Sequence, residues 1–189
     1  MSSYLNSYLS ITPYRESLPY FLLFNILYIW GDNIKLADRA WLAGIIDGEG
    51  SITIYNFIKT QQSGYKDKNK ICTYTAFVIG LSVSNNNKDV IDKIKRITNT
   101  NVSVSKISQG KYGNTNYRWK VSSRKDILRI LKEVKPYLVA KKIQANLMIE
   151  FINIRNENGY SKKTEEQKDR MVFISEKLSL LNRLGQVKQ

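Results

Sequence analysis

The chain has 189 residues, 42% of them hydrophobic, with thirty Lys and Arg against sixteen Asp and Glu, a net charge of +14. Such length and apolar content support one domain with a sizeable core and exclude the composition of disorder, while the charge points to a polyanionic partner, either nucleic acid or an anionic membrane surface. One cysteine, Cys72, and no histidine exclude an internal disulfide, Cys/His zinc sites, Ser-His-Asp triads and a histidine general base, so any hydrolysis rests on carboxylates, lysine and metal.

In residues 1–37, Arg15 and Lys35 balance Glu16 and Asp32, so the whole positive charge falls in residues 38–189. Residues 1–35 are read as an N-terminal arm that packs on the domain or on a partner subunit, and residues 36–189 as the domain. The arm's apolar run LPYFLLFNILYIW, residues 18–30, is shorter than the roughly 20 residues needed to cross a bilayer. With Arg15 balanced by Glu16, and WGDN following, it lacks the basic start and small-residue cleavage site of a signal peptide, and no membrane role is expected.

LADRAWLAGIIDG, residues 36–48, has helical spacing, with Asp38 placed as N-cap. Ala40, Gly44 and Gly48 recur every fourth residue and form a ridge of small side chains, which lets another helix backbone approach closely. SITIYNFIK alternates and predicts a strand, with Ile52 and Ile54 on one face and Thr53, Tyr55, Phe57 and Lys59 on the other. A second strand, CTYTAFVIGLSVS at residues 72–84, completes a hairpin whose tip carries Lys66, Lys68 and Lys70, and Cys72 is read as a strand thiol in a reducing compartment.

NNNKDVIDKIKRI offers Asn caps and apolar residues at 90, 91, 94 and 97, a helix. Shorter strands are expected near 101–108 and 116–122, then helices over SRKDILRILKEV to Val134, a break at Pro136, VAKKIQANLMIEFINIR, and TEEQKDRMVFISEKLSLLNRL closed by Gly185. Strand pairs separated by a helix indicate an antiparallel or mixed sheet with helices on one face and the other face free. Opposite the core of the later strands lie Ser82, Ser84, Ser103, Ser105, Arg118 and Lys120, with Trp119 and Val121 facing inward. A two-stranded ribbon fits the DNA major groove, so these residues and Tyr55, Phe57 and Lys59 are candidate DNA contacts, while Lys66, Lys68 and Lys70 suit flanking phosphates. Trp41, Phe77, Trp119 and Phe173 are assigned to the core, and Ile174, Leu178 and Leu181 mark a buried stripe on the last helix.

LAGIIDGEG, Leu42 to Gly50, closely matches the LAGLIDADG motif, and the α-β-β-α-β-β-α order downstream agrees. The sequence resembles a single-motif LAGLIDADG homing endonuclease over roughly residues 38–184, and KPYLVAKKIQANL, residues 135–147, is similar to the lysine-bearing segment of the homodimeric members. The resemblance implies an α+β fold, αββαββα with an antiparallel saddle-shaped sheet, here extended by C-terminal helices. It implies that two motif helices pack through their small residues, which assigns Ala40, Ala43, Gly44, Asp47 and Gly48 to a dimer interface and brings the two acids together beside the DNA. With one motif in the chain, the partner helix comes from a second subunit, giving a C2 homodimer and a near-palindromic target.

On this resemblance Glu49 is the metal ligand, one from each subunit, and the Gly48 carbonyl adds another. Paired carboxylates beside phosphates require a divalent cation, Mg²⁺. Asp47 suits a structural role at the helix end. Lys141 corresponds to the family's active-site lysine, with Lys142 as the rival, and the catalytic polar residue at the end of the second strand is Asn85, unless an ungapped alignment puts Val83 there. The function implied is a Mg²⁺-dependent staggered double-strand cut across the minor groove, intron-associated. The alternatives are an intron RNA maturase or a DNA-binding regulator of the same fold, or a basic ribonucleoprotein component, which leaves the acidic helix end without a purpose. High Asn, Ile, Lys and Tyr usage fits an AT-rich genome, and the expected setting is intracellular, in an organelle (mitochondrion or chloroplast) or in phage or bacterial cytoplasm.

Overall fold

Helix α1 (Leu36–Glu49) runs directly into strand β1 (Gly50–Gln62). In this computed structural model residues 34–62, 71–101, 104–109, 115–157 and 163–184 are described. The chain divides into two units, Met1–Asn33 and Ile34–Gln189, and the described elements belong to the second. The arm, the hairpin-tip residues Lys66, Lys68 and Lys70, and Ser103 lie outside the described residues.

The first helical hydrogen bond of α1 runs from Arg39 N–H to Lys35 O (2.9 Å), which puts Lys35 rather than Asp38 at the N-cap. Asp38 falls instead in the first turn, 3.7 Å from the Lys93 amine, which also lies 4.0 Å from the centroid of the Trp41 ring. Arg39 ties the start of the helix to Ile34 O (2.7 Å) and to Glu133 (3.1 Å).

Strand β2 (Ile71–Asn85) pairs antiparallel with β1 from Gly50↔Val83 to Gln62↔Ile71, so the first strand runs three residues past its predicted end at Lys59. After α2 (Lys88–Thr98) come β3 (Ser105–Gln109) and β4 (Thr115–Val121), and the four strands form an antiparallel sheet in the order β1-β2-β4-β3. Helices α3 (Arg124–Val134), α4 (Lys142–Glu157) and α5 (Glu165–Leu184) follow, with a 3-10 turn at Lys135–Tyr137 where Pro136 breaks the pattern. Caps fall where short polar side chains compete for backbone N–H groups: Asn87 accepts from Asp89 N–H (2.8 Å) and Ser123 from Asp126 N–H (3.4 Å).

Strand alternation sorts the sheet into two faces. Ile52, Ile54, Ile79, Leu81, Val83, Trp119 and Val121 point into a core completed by Leu42 and Ile46 of α1, Ile91 and Ile94 of α2, Ile127 and Ile130 of α3, and Phe151 of α4. The buried Trp119 indole N–H donates to Thr100 Oγ1 (3.0 Å), which sits 3.1 Å from Thr98 Oγ1, and the left-handed Asn99 (φ 46°) turns the chain between those two threonines. Phe173, assigned to the core from its helix pattern, is 47% exposed: Ile174 and Leu178 fill the buried stripe, and the ring lies beside Arg170 and Lys177.

Helix α5 also covers the free edge of β1. Ser175 Oγ donates to Ile54 O (3.2 Å) and Asn182 Nδ2 to Ile52 O (2.9 Å), which satisfies two carbonyls that no strand reaches. No described helix is long and apolar enough to cross a membrane.

At the helix-to-strand junction a Cβ on Gly50 would lie 2.6 Å from Ile46 O and 2.7 Å from Ile46 Cα. Both atoms are backbone and cannot step aside. Gly50→Ala is therefore expected to cost about 1–3 kcal/mol, read as a lower urea midpoint, and an unchanged midpoint would contradict the tight fit at this junction.

Candidate active site and nucleic-acid interface

One side of α1 is built for the protomer's own core and the other is left bare. Leu42, Ala43 and Ile46 are buried, whereas Ala40, Gly44 and Gly48 are exposed. A Cβ added at Gly44 or Gly48 meets no atom within 4 Å. The expected ridge is thus present as an open strip, with one correction. Ala43, placed on the interface by the resemblance, is 0% exposed inside the protomer and belongs to the core, because it lies one residue round the helix from the strip.

Asp47, also placed on the interface, turns its carboxylate toward the segment before α4. Oδ2 accepts from Val139 N–H (2.7 Å) and Oδ1 from Lys141 N–H (2.8 Å), and the Lys141 amine donates back to Asp47 O at 2.5 Å. Two distant stretches of sequence are therefore locked together at the last turn of α1. The rival Lys142 is exposed, at the start of α4. Desolvation by partial burial holds the Lys141 pKa below the usual lysine value, and the nearby Asp47 charge pulls the other way.

Glu49, two residues on, is exposed, and its Oε2 accepts from Asn85 Nδ2 at 2.5 Å. Asn85 Oδ1 accepts from Asn87 N–H (2.7 Å), which fixes the amide orientation and leaves the NH₂ group facing Glu49. Val83, the other candidate, is fully buried in the sheet core. Asn85 and Lys141 thus reach the end of α1 from the end of β2 and the start of α4.

The donor set suits a hard cation. Glu49 Oε1 has no partner among the described residues, and oxygen ligands are what Mg²⁺ and Ca²⁺ prefer. Among the described residues no three His, Cys, Asp or Glu side chains converge, and the Asp47 carboxylate is already occupied by backbone N–H groups. At the end of α1 one protomer therefore offers one free carboxylate among the described residues, Glu49. The Gly48 carbonyl stands at an exposed residue beside it, after Ile46 O and Asp47 O have been taken by Gly50 N–H and the Lys141 amine.

From the same junction the open face of the sheet begins. Register places Ser51 opposite Ser82, Tyr55 opposite Val78, Phe57 opposite Ala76 and Lys59 opposite Tyr74, while Lys120 lies opposite Ser82 and Arg118 opposite both Ser84 and Ser105. Tyr55, Phe57, Lys59, Ser105, Arg118 and Lys120 are exposed, and Ser82 and Ser84 partly so. Arg118 Nε donates to Ser84 Oγ (3.0 Å), which steadies its guanidinium on that face. Thr53 lies on this face as the strand pattern predicts, and Tyr74 and Val78 share it although the sequence pattern as read misses those two. Carrying the parity of Ser82 and Ser84 back along β2 finds the last two.

Residues 42–158, more than half of the chain, match the family described as LAGLIDADG endonuclease. No curated protein matches. Among solved structures the chain is similar to the homing endonuclease I-CvuI in complex with its target in the presence of Ca, at 22% identity and TM-score 0.56 over 77% of this chain and 82% of that one. It is also similar to the archaeal intron-encoded homing endonuclease I-Vdi141I complexed with DNA, at 16% identity and TM-score 0.58 over 77% and 84%. A third likeness is to the group I intron-encoded homing endonuclease I-CeuI complexed with DNA, at 15% identity and TM-score 0.55 over 84% and 74%.

The desolvated position of Lys141 has a measurable consequence. Its amine is expected to titrate below the ordinary lysine pKa of about 10.4, followed through the ¹³Cε shift and assigned by comparison with Lys141→Met. Asp47→Ala is expected to remove both backbone anchors and lower stability by about 1–3 kcal/mol, whereas unchanged thermal unfolding would show that the lock carries no energy.

Proposed function

The chain belongs to the LAGLIDADG endonuclease family, and from that premise we propose that it is a homodimeric, site-specific homing endonuclease. It makes a Mg²⁺-dependent staggered double-strand cut in a long, near-palindromic DNA target. The observation that carries this reading is the arrangement at the end of α1, where Glu49 stands exposed beside the open strip of Ala40, Gly44 and Gly48. An uncovered small-residue strip costs little in the protomer and gains its value when a second helix closes on it. Closure by the two-fold-related helix of another copy would bring the two Glu49 carboxylates toward one another.

A divalent cation bound there supplies charge neutralisation and an activated water. Glu49 from each protomer, with the Gly48 carbonyl, would hold it. Asn85 orients the Glu49 carboxylate through its Nδ2–H, and the Lys141 amine is placed to stabilise charge developing on the scissile phosphate. Arg118, Lys120 and Lys59 on the open face meet the duplex, directly at base edges or through phosphates. The DNA held by I-CvuI, I-Vdi141I and I-CeuI supports duplex DNA as the substrate.

Cleavage of a randomised duplex library with Mg²⁺ tests the activity. Wild type is expected to cut at near-palindromic sites, and Glu49→Gln to cut at least about a hundredfold more slowly. Binding without cutting by wild type would defeat the nuclease reading. The dimer makes a separate prediction of opposite signs at one position. Because Gly44 has open space around it in the protomer, Gly44→Leu is expected to raise protomer stability by up to about 1 kcal/mol while abolishing the dimer in sedimentation. A Gly44→Leu protein that still sediments as a dimer would place the interface elsewhere.

A further inference from the structure

The open face of the sheet is chemically graded along its length, and the grading bears on which DNA it reads. Near the Glu49 junction the cross-strand neighbours are polar: Ser51 faces Ser82, Ser82 faces Lys120, and Ser84 faces Arg118 and accepts its Nε–H. Farther out, the β1–β2 ribbon changes character. Tyr55 is 63% exposed, Phe57 47%, Val78 45% and Tyr74 43%, and register makes them one continuous patch with Ala76. The buried side chains of the sheet point the other way, and α5 meets the ribbon along its β1 edge, where Tyr55 lines a hollow with Leu178, Asn182 and Arg183.

Exposed aromatic and aliphatic side chains on this scale mark a surface that something covers. Cross-strand stabilisation of the ribbon accounts for part of the composition, since aromatic and β-branched pairs favour a hairpin. It does not require that the exposed aromatic rings, Tyr55, Phe57 and Tyr74, all lie on the face that also carries Lys59, Lys120 and Arg118, whose charge suits a polyanion, while the exposed aliphatic Ile58 and Ile71 lie on the other. In the major groove the one apolar feature of a base edge is the thymine C5-methyl group. Resting on the endonuclease reading above, we infer that the outer part of each DNA half-site is read through thymine methyls by Tyr55, Phe57, Ala76 and Val78.

The inner part is read differently. Arg118, held by Ser84, presents its remaining guanidinium donors and suits the O6 and N7 acceptors of guanine. From Ser51 to Tyr55 the strand advances roughly 13 Å, about four base-pair steps of 3.4 Å. The predicted half-site therefore changes from hydrogen-bonded, guanine-containing pairs near the cut to A·T pairs about four or more steps outward. Thymine placement there is specified as well as A·T content, because an apolar contact senses the methyl and not the pair.

The test starts from the sites that wild type selects out of a randomised duplex library. Each outer thymine is then replaced by deoxyuridine, which removes the methyl and leaves pairing intact, and equilibrium binding is measured. Each replacement under the patch is expected to weaken binding roughly fourfold, the value of one buried methyl. In Phe57→Ala, whose side chain is exposed and outside the core, the deoxyuridine effect at the facing position is expected to vanish while discrimination at the inner pairs persists. Selected sites with G·C or no preference at the outer positions, or deoxyuridine without effect, overturn the inference and leave the endonuclease reading standing. So does a Phe57→Ala protein that melts earlier but keeps the deoxyuridine effect, since the ring then serves only the hairpin. If wild type selects no site at all, both readings fall together.

Discussion

The carboxylate of Asp47 ties the acidic end of α1 to the loop that delivers a cation to it. By accepting the N–H groups of Val139 and Lys141, it joins residues more than ninety positions apart in sequence. The Lys141 amine then has little choice but to lie against Asp47 O, partly desolvated and two residues from Glu49. Gly50 performs the complementary task by letting β1 leave the helix without a turn, so the open sheet face starts where the acid stands. Remove either constraint and the cation, the acid and the DNA-facing strands lose their common origin.

The same lock reconciles a chain of net charge +14 with carboxylates gathered at one helix end. The Asp47 carboxylate is satisfied internally by two backbone N–H groups, and the Lys141 amine sits on the same residue's backbone carbonyl. Of these two acids Glu49 is left to face solvent, braced by Asn85 but with one oxygen open among the described residues. Lys59, Arg118 and Lys120 stand on the open sheet face that would meet phosphates, and Glu49 stands at the junction where that face begins. A protomer with one exposed acid at the end of α1 and an uncovered strip of small residues beside it is half of a site.

Much of this is legible in the sequence because it rests on short-range patterns. The strip of Ala40, Gly44 and Gly48 follows from helical period, and the faces of β1, β2 and β4 from strand parity. What escapes depends on contacts between distant segments. Asp47 reads as an interface residue until Val139 and Lys141 are seen to claim it. Ala43 differs from its neighbour Gly44 only by a rotation about the helix axis, which decides core against surface and which composition does not encode. Phe173 reads as core because a ring beside Ile174 satisfies the same rough pattern, while its neighbours Arg170 and Lys177 hold it outside. The protection of the β1 edge by Ser175 and Asn182 has no local signal, since those residues on a helix look like ordinary polar surface.

The most direct measurement is a double-mutant cycle on single-turnover cleavage with Asp47→Asn and Lys141→Met. The Asp47→Asn change replaces one carboxylate oxygen with an NH₂ group that faces a backbone donor, so the loop carrying Lys141 should shift. If Asp47 acts by placing Lys141, the double variant cuts no more slowly than Lys141→Met alone, with DNA affinity unchanged throughout. Rate losses that multiply would show that Asp47 acts independently of Lys141 and would contradict a single locked site.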